Sequence, residues 1–336
     1  MKVLVHFQPS QLNDDFEGAR LRKTIKGSLE VNGIIHTNTL MDDFDVAHFV
    51  YIEDENVVSE LAERNIPFVV SALYCEDDPS ASYLEYKNKD GSRSITLKPK
   101  AIKFLEKANL ILVPNNSAKQ ILVEAGLTNR IEVCPPGVNF ARFDFSRDDE
   151  KELFYRYFAC ERDKKIVVAI GDTSLDGLNV IVSASKVVED VNFYYLVKHE
   201  KGKRQSWKNK RTIKKLPRNV VYSDMVPDDI YRSILINANV YLHPGYKPAG
   251  LISVFEGMAA KCQLIMRKQE MIDEVAIDRE TAYVASYSET LVGIIKDYFE
   301  GKLKPTIDKA YKQVSKHDFK IFGEKLIDYY KELIGE

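Results

Sequence analysis

Short apolar runs alternate with longer amphipathic segments along this chain, a pattern typical of parallel β-sheets whose strands are joined by crossover helices. In the first half, the predicted strands are Val3–Phe7, Val46–Tyr51, Phe68–Ala72, Leu110–Val113 and Ile131–Val133. In the second half, they are Ile166–Ile170, Phe193–Val197, Val220–Tyr222, Val240–Leu242 and Leu264–Met266. The repeated series predicts an α/β protein with two consecutive nucleotide-fold-like domains, joined near residues 135–145.

The amphipathic segments between these strands predict the helices. In the first half they are Glu17–Asn32, Asn56–Arg64, Lys100–Lys107 and Ser117–Ala125, the last of them followed by Gly126 as a C-cap. In the second half they are Leu178–Val188, Asp228–Asn237 and Ser253–Ala260. A last helix, Asp318 to Ile334, carries its apolar residues on one face. The expected domains are residues 1–143 and 144–316, followed by the terminal helix at 317–336.

Length and composition narrow the class of protein. A chain of 336 residues suits two domains, and a net charge of −2 provides no overall field that would attract nucleic acid. The four cysteines have no paired spacing, which favours a reducing cytoplasm over a disulfide framework or a metal site. The start, Met1–Phe7, predicts a strand and not a signal peptide, and no apolar run approaches the roughly 20 residues of a membrane span. We therefore expect a cytoplasmic protein with neither metal nor cofactor.

The stretch from Val240 to Ala260 is the most informative part of the sequence. It predicts a buried strand, a loop rich in Gly and Pro, and a helix that begins near Ser253. Outward-pointing amides and the helix dipole make such a helix start suitable for a phosphate. Glu256 would then lie in the first turn, close enough to accept hydrogen bonds from ligand hydroxyls. An ordinary strand–loop–helix connection remains the alternative.

This stretch resembles the signature of glycosyltransferase family 4, whose members are retaining enzymes of the GT-B architecture. The residues that carry the resemblance are Pro244-Gly245-Tyr246, the apolar run before Glu256, and Met258-Ala259. Further matches are Leu112–Ala118, Pro135–Asn139 with Phe143, and Val221–Pro244. Phe154–Phe158 and Leu264–Arg267 are similar to short bacterial members that glycosylate glycosyl-diacylglycerol.

The resemblance implies two Rossmann-like domains that face each other across a cleft, with the terminal helix crossing back to the first domain. It also implies transfer of a hexose from a nucleotide-diphosphate sugar to a lipid-linked or glycan acceptor, with the amides of Leu251 to Ser253 on the phosphates and Glu256 on the ribose. The residues expected to bind the nucleotide sugar are Gly171, Lys247, Gly250, Leu251, Ile252, Ser253, Glu256 and Arg267.

The chain departs from the family where the donor diphosphate is expected. Family members carry an Arg and a Lys after the strand that matches Ile166–Ile170, and this chain has Asp172 and Asp176 there. Opposite unit charges near 4 Å gain about 4 kcal/mol at an effective dielectric constant of 20, so each aspartate reverses the sign of a substantial interaction. Lys247, Lys198 or Arg267 would have to supply the missing charge, and the alternative for each of them is an ordinary surface cation.

Two further departures concern the sugar and the acceptor. Pro248 replaces the second glutamate of the family signature, and a proline has neither a side-chain acceptor nor an N–H donor. Leu73 stands where the resembled subgroup has a histidine near the transferred sugar. His48 and Glu76 remain as catalytic candidates. A histidine at a strand end is also a common structural residue, and Glu76 also fits a normal polar loop.

A basic segment around the only tryptophan of the chain is an addition to the family pattern. Each lysine or arginine near a membrane surface contributes roughly 1 kcal/mol of attraction to anionic lipid headgroups, and an indole suits the membrane interface. A solvated basic loop is the alternative, with a nucleic-acid contact as a weaker third option. The candidate membrane-binding residues are Arg204, Trp207, Lys208, Lys210, Arg211, Lys214 and Lys215.

Two hypotheses for the function follow. The first is an active transferase at the cytoplasmic face of the cell membrane, peripheral to the bilayer. The second is a catalytically degenerate GT-B protein that serves as a partner or stabilising subunit of an active transferase, because the departures at Asp172, Asp176, Pro248 and Leu73 all concern the expected active site. A homo-oligomer or a hetero-oligomer with another glycosyltransferase fits either hypothesis, and a nucleotide or lipid sensor is a third possibility.

Overall fold

The computed structural model describes residues 1–6, 17–74, 81–88, 93–143, 148–171, 175–197, 207–246 and 250–336, the side chains at 87, 93, 148, 175 and 207–209 excepted. These residues fold into two units. The first comprises Met1–Asn139, Gly250–Ile252 and Lys316–Glu336, and the second comprises Phe140–Ala249 and Ser253–Ser315.

The first unit contains eight of the described strands and five of the described helices. The strands are β1 (Lys2–Val5), β2 (Ile35–Thr37), β3 (Val46–Phe49), β4 (Phe68–Ser71), β5 (Tyr83–Lys87), β6 (Arg93–Leu97), β7 (Leu110–Val113) and β8 (Ile131–Val133). The helices are α1 (Glu17–Val31), α2 (Glu55–Glu63), α3 (Pro99–Leu105), α4 (Asn116–Glu124) and, from the end of the chain, α12 (Phe319–Ile334). Six strands form a parallel sheet in the order β2-β1-β3-β4-β7-β8, and β5 pairs antiparallel with β6.

The second unit contains six of the described strands and seven of the described helices, except that the first two residues of α9 belong to the first unit. The strands are β9 (Lys165–Gly171), β10 (Val191–Val197), β11 (Val220–Asp224), β12 (Val240–His243), β13 (Gln263–Arg267) and β14 (Tyr283–Ala285). The helices are α5 (Asp148–Phe158), α6 (Leu175–Val187), α7 (Trp207–Ile213), α8 (Asp228–Asn237), α9 (Leu251–Ala259), α10 (Ser288–Phe299) and α11 (Ile307–Val314). The sheet is parallel throughout, in the order β11-β10-β9-β12-β13-β14.

The central strands of both sheets consist mainly of apolar residues, as buried strands require. Every residue of β3, β4, β7, β12 and β13 is buried, as is usual for parallel strands covered by helices on both faces. Helices α2, α4 and α12 begin with a polar side chain as N-cap; in α4, Asn115 accepts a hydrogen bond from the Ala118 N–H at 2.8 Å. Gly126 follows α4 with φ = +87°, a left-handed conformation that a glycine adopts without strain.

The terminal helix α12 belongs to the first unit. Phe322, Leu326 and Tyr330 are buried in the core of that unit together with residues of β1, β7 and α1. These residues repeat at helical spacing, so the apolar face predicted from the sequence is the face that packs. The backbone of Phe319 also donates to the carbonyl of Val138 at 3.1 Å.

The order of the strands reverses beside the first strand of each unit. In the second unit, β10 and β11 extend to one side of β9, and β12, β13 and β14 extend to the other. In the first unit, β1 lies between β2 and β3 in the same way. Connections that leave such a strand pair in opposite directions open a crevice at the carboxyl ends of the strands, where ligands of α/β sheets bind.

A serine hydroxyl inserted into a helix joins α5 to α8 in the second unit. Ser233 is fully buried, donates to the carbonyl of Glu150 at 2.5 Å and accepts from the N–H of Phe154 at 3.0 Å. It therefore takes the place of one hydrogen bond of the α5 ladder. Phe154 in turn contacts Tyr194 of β10, with ring centroids 5.0 Å apart.

Replacement of Ser233 by alanine is expected to lower the free energy of unfolding by about 1–3 kcal/mol, because two buried backbone groups lose their hydroxyl partner. Chemical denaturation followed by circular dichroism measures this change. The control is Ser59→Ala, whose exposed hydroxyl donates to the carbonyl of Glu55 within its own helix. Equal stability of the two variants would contradict the assigned role of Ser233.

Candidate functional site

Two glycines and a tyrosine occupy the carboxyl edge of the second unit's sheet, where the strand order reverses. A Cβ atom at Gly171, the last residue of β9, would overlap the hydroxyl group of Tyr195. A Cβ at Gly177, in the first turns of α6, would lie 2.7 Å from the same oxygen. Both glycines therefore make room for the Tyr195 ring, which is 1% exposed. Gly171 was predicted to approach the nucleotide sugar, and its environment includes this side chain of the protein itself.

Arg267 ends β13 and connects the segments that follow the two neighbouring strands, β12 and β14. Its Nε donates to the carbonyl of Pro244 at 2.9 Å, Nη1 to the carbonyl of Ser286 at 2.7 Å, and Nη2 to the hydroxyl of Ser288 at 2.8 Å. The guanidinium also lies 3.9 Å from the centroid of the Tyr246 ring. Burial lowers the pKa of Arg267, whereas Tyr246, Asp176 and Glu289 oppose that shift. Arg267 is a buried cation and not a surface one, placed at the carboxyl edge of the sheet.

Glu256 lies in the second turn of α9, since the helix begins at Leu251 and not near Ser253 as the sequence predicted. The residue is 5% exposed. Its Oε1 lies 3.7 Å from Nη1 of Arg142, in the 3-10 turn Phe140–Phe143. The carboxylate is therefore held beside a cation and is not surrounded by the apolar interior alone.

The first residues of α9 belong to the first unit, and there an internal carboxylate occupies the helix start. The N–H of Ile252 donates to Oε1 of Glu17 at 3.2 Å. A Cβ at Gly250 would overlap the other oxygen of the same carboxylate. Leu251, Ile252 and Ser253 are buried. The carboxylate at this helix start is the side chain of Glu17, and the phosphate site predicted there stays a prediction.

A tyrosine-lined pocket lies at the carboxyl ends of β3 and β4 in the first unit. It encloses about 280 Å³ of empty space, part of it open to solvent. Its lining residues are Gly18, Val50, Tyr51, Ser71, Leu73, Tyr74, Ala81, Ser82 and Tyr83. Leu73 adopts φ = +56°, a strained conformation for a leucine, and its N–H donates to the hydroxyl of Ser82 at 3.2 Å. Strain of this kind concentrates at functional sites.

His48, a catalytic candidate, is fully buried in β3 beside this pocket. Its Nδ1 lies 2.6 Å from the hydroxyl of Tyr330 in α12, and its Nε2 lies 2.8 Å from the hydroxyl of Ser71, a residue of the pocket wall. Burial lowers the pKa of His48 to about 3. The imidazole is therefore neutral at pH 7 and links the terminal helix to the pocket.

Several predicted site residues lie outside the described residues, namely Glu76, Lys247 and Arg204, together with Asp172 and Pro248. Trp207 and Lys208 lie in α7, but their side chains are not described. The remaining cations of the basic segment, Lys210, Arg211, Lys214 and Lys215, are exposed. Asp176 is exposed in the first turn of α6, where a negative charge suits the helix dipole.

Arg142, Glu17 and Tyr195 were not identified from the sequence. The contacts of these side chains join segments that are far apart in the sequence, so they produce no local sequence pattern. Arg142 stands between Ala141 and Phe143 and has the sequence surroundings of an ordinary turn residue. The paired glycines at 171 and 177 were the available signal for Tyr195, because glycines at a strand end indicate close approach of another group.

No protein-family model matches the chain. It is 21% identical over 340 residues to the processive diacylglycerol alpha-glucosyltransferase of Acholeplasma laidlawii, which covers 99% of each chain. A glycosyltransferase from Rickettsia africae superposes with a TM-score of 0.70 at 16% identity, over 99% of this chain and 98% of that one. Anabaena HepE, solved with UDP and glucose, superposes with a TM-score of 0.72 at 12% identity, over 99% and 100%.

The chain has the GT-B glycosyltransferase fold. The predicted α/β class, the two Rossmann-like units and the return of the last helix to the first unit are confirmed. Within the part of the chain that the structure describes, no helix is long and apolar enough to cross a membrane. The same residues contain no group of three or more His, Cys, Asp or Glu side chains suited to a metal ion.

The burial of His48 makes the stability of this GT-B protein dependent on pH. Its pKa is about 3 in the folded chain and ordinarily 6.5, so between these values the unfolded chain binds a proton that the native chain does not. The free energy of unfolding therefore falls as the pH drops below 6.5, by about 1.4 kcal/mol per pH unit from this residue.

We expect His48→Gln to reduce the slope of the unfolding free energy by that amount between pH 6 and pH 5, measured by urea denaturation at each pH. His36→Gln is the control, because His36 is partly exposed and pairs with the exposed Glu30. Parallel pH dependences for wild type and His48→Gln would show that the buried imidazole is not the cause.

Proposed function

We propose that this protein is a retaining glycosyltransferase that moves a hexose from a nucleotide-diphosphate sugar to a lipid-linked or glycan acceptor at the cytoplasmic face of the membrane. The observation that carries the proposal is the carboxyl edge of the second unit's sheet, where helix α9 with Glu256 follows β12 at the reversal of strand order and Arg267 ends the neighbouring β13. Nucleotides bind at this position in open α/β sheets.

The donor nucleotide is proposed to bind through Glu256. An ionised carboxylate accepts two hydrogen bonds from neighbouring hydroxyls, and the cis-diol of a ribose presents two donors with suitable spacing. The 5% exposure of Glu256 means that a bound ribose would be largely shielded from water, where each of these hydrogen bonds is stronger.

The donor diphosphate is proposed to bind at the start of α9. There it would replace the Glu17 carboxylate as the acceptor for the Ile252 N–H, one anion for another. Gly171 and Gly250 remain proposed contacts of the donor, as do the amides of Leu251 and Ser253.

Arg267 is proposed to supply positive charge to the donor site. The hydrogen bonds to Pro244, Ser286 and Ser288 use three of the five N–H donors of its guanidinium, and its burial reduces the screening of its charge by water. Asp176, in the first turn of α6 of the same unit, carries a charge that opposes an anionic ligand. Lys247, outside the described residues, is proposed as a second cation.

The acceptor is proposed to bind at the tyrosine-lined pocket of the first unit. Phenol rings offer apolar faces for a sugar ring, and hydroxyls of serine and tyrosine offer hydrogen bonds at its rim. His48 reaches the wall of this pocket through Ser71 and is proposed to act there together with Glu76. The pocket walls thus combine apolar and hydroxyl groups, as an acceptor headgroup requires.

The similar proteins support transfer over the non-catalytic alternative. The Acholeplasma laidlawii relative, a glucosyltransferase by name, matches over 99% of both chains. Its name describes an enzyme that glucosylates diacylglycerol, which fits a lipid-linked acceptor. Anabaena HepE has been solved with UDP-glucose as well as with UDP, which fits a nucleotide-sugar donor.

Isothermal titration with UDP, GDP and ADP and their hexose derivatives tests the donor site. We expect at least one nucleotide to bind, and Glu256→Ala to weaken its binding by about 10- to 100-fold, since a hydrogen bond to a charged group contributes roughly 1.5–3 kcal/mol. The control is Glu189→Ala, an exposed acid that precedes β10 at the opposite edge of the sheet. If no nucleotide binds in the presence of lipid, the transferase proposal is wrong and the partner hypothesis takes its place.

The basic segment is proposed to hold the protein at anionic membranes. Changing Lys210, Arg211, Lys214 and Lys215 to glutamine should reduce binding to vesicles that contain phosphatidylglycerol by more than tenfold, because each cation near the surface contributes about 1 kcal/mol. A second variant with Lys268, Lys304, Lys309 and Lys312 changed to glutamine removes the same charge from exposed positions elsewhere in the second unit. Equal loss in both variants, or no loss in the first, would contradict attachment through this segment.

A further inference from the structure

We propose that Arg142 is a positioning residue that orients the Glu256 carboxylate toward the ribose hydroxyls of the nucleotide and thereby sets the preference for ribonucleotides. The proposal rests on the donor role of Glu256. It adds a residue from the 3-10 turn Phe140–Phe143, which is the first segment of the second unit.

The guanidinium of Arg142 lies between two carboxylates of the second unit. Its Nη2 donates to Oδ2 of Asp228 at 2.7 Å, and its Nη1 lies 3.7 Å from Oε1 of Glu256. A guanidinium is planar and its two terminal nitrogens diverge at a fixed angle. The short hydrogen bond to Asp228 therefore fixes the direction in which Nη1 points, and that direction is toward Glu256.

The anchor of this arrangement is itself held in place. Asp228 is the first residue of α8 and follows Pro227, so its backbone is set by the start of a helix. α8 is joined to α5 through Ser233 and through the ion pair of Arg232 with Glu150 at 2.8 Å. On the other side of Arg142, Phe143 is 4% exposed and secures the turn.

The two carboxylates on either side of Arg142 differ in solvent exposure, and this difference indicates which one orients the guanidinium and which one the guanidinium orients. The side chain of Asp228 is 78% exposed, that of Arg142 is 29% exposed, and that of Glu256 is 6% exposed. A carboxylate as buried as Glu256 is costly without a nearby cation. Asp228 bears no such cost in water, so its contact with Arg142 serves mainly to orient the guanidinium.

The distance between Arg142 and Glu256 is suited to positioning rather than to a closed ion pair. At 3.7 Å the contact is electrostatic and longer than a hydrogen bond. Arg142 can therefore steady the charge and the orientation of the carboxylate without a short N–H···O bond. The ligand group that would hydrogen-bond to the carboxylate in this orientation is the 2′,3′-diol of a ribose.

The experiment compares the binding of UDP with that of 2′,3′-dideoxyuridine diphosphate by isothermal titration. UDP is the nucleotide present in the solved structures of Anabaena HepE. In the wild type we expect UDP to bind at least tenfold more tightly than the dideoxy compound. In Arg142→Gln we expect UDP affinity to fall about tenfold while the dideoxy compound binds as before, so that the preference is lost.

Arg142→Lys and Asp228→Asn refine this test. A lysine keeps the positive charge but has no fixed fork, so the preference should fall to an intermediate value. Asp228→Asn keeps a hydrogen-bond acceptor for Nη2, and its preference should fall by less than threefold. Arg279→Gln is the matched control, because Arg279 is an exposed arginine of the same unit paired with an exposed aspartate at 3.7 Å.

The outcomes separate this inference from the proposed function. If the wild type binds neither UDP nor the dideoxy compound, the donor role of Glu256 toward this nucleotide fails and the inference fails with it. If UDP binds and Glu256→Ala weakens it, but Arg142→Gln does not, the inference alone is overturned. Equal loss for both compounds in Arg142→Gln would also overturn it, since that result indicates a phosphate contact or a general distortion. Should Arg142→Gln not fold, Arg142→Lys decides by the same criterion.

Discussion

The reversal of strand order beside β9 is the constraint on which the rest of the second unit depends. Because β10 and β12 flank β9 and the connections leave in opposite directions, the strand order opens a crevice at the carboxyl ends of these strands. Three of the groups proposed for the donor site follow from this strand order. Arg267 ends β13, Glu256 follows β12 on α9, and Gly171 ends β9.

The buried side chain of Arg267 holds together the segments at the carboxyl edge of the second sheet. Arg267 joins the carbonyl groups of Pro244 and Ser286 and the hydroxyl of Ser288, so three hydrogen bonds from one side chain fix loops that follow different strands. The cost of burying the charge is offset by these bonds and by the Tyr246 ring. Asp172 and Asp176, whose negative charges would repel a phosphate, are therefore only some of the charged groups near the carboxyl edge of this sheet. Asp176 is exposed to water at the start of α6, and Arg267 at the end of β13 supplies positive charge.

Much of the fold was predictable because parallel strands are short, apolar and regularly spaced. Strands such as Leu110–Val113 and helices such as Asp228–Asn237 were predicted with the bounds that the structure has. Strand β2 was missed because it has three residues, two of them not buried, and so carries no apolar run. The β5–β6 hairpin was missed for a related reason, since Leu84 and Tyr86 are exposed and the alternation is one-sided.

The candidate site was less predictable, because its decisive contacts join segments far apart in the sequence. The resemblance made Glu256 a candidate and the missing positive charge made Arg267 one, but nothing in the local pattern indicates that Arg142 lies beside Glu256. The start of α9 was placed two residues too late because Leu251 and Ile252 follow a glycine-containing loop. Leu73 was treated only as a lost histidine, whereas its left-handed conformation in a pocket wall becomes visible only in three dimensions.

Amide hydrogen exchange with and without saturating UDP tests the central claim most directly, because it locates the bound nucleotide without any substitution. Binding at the carboxyl edge of the second sheet should slow exchange in residues 241–246 and 251–260 and leave β5 and β6 unchanged. Unaltered exchange in both of those segments, under conditions where UDP is bound, would contradict a donor site built on Glu256.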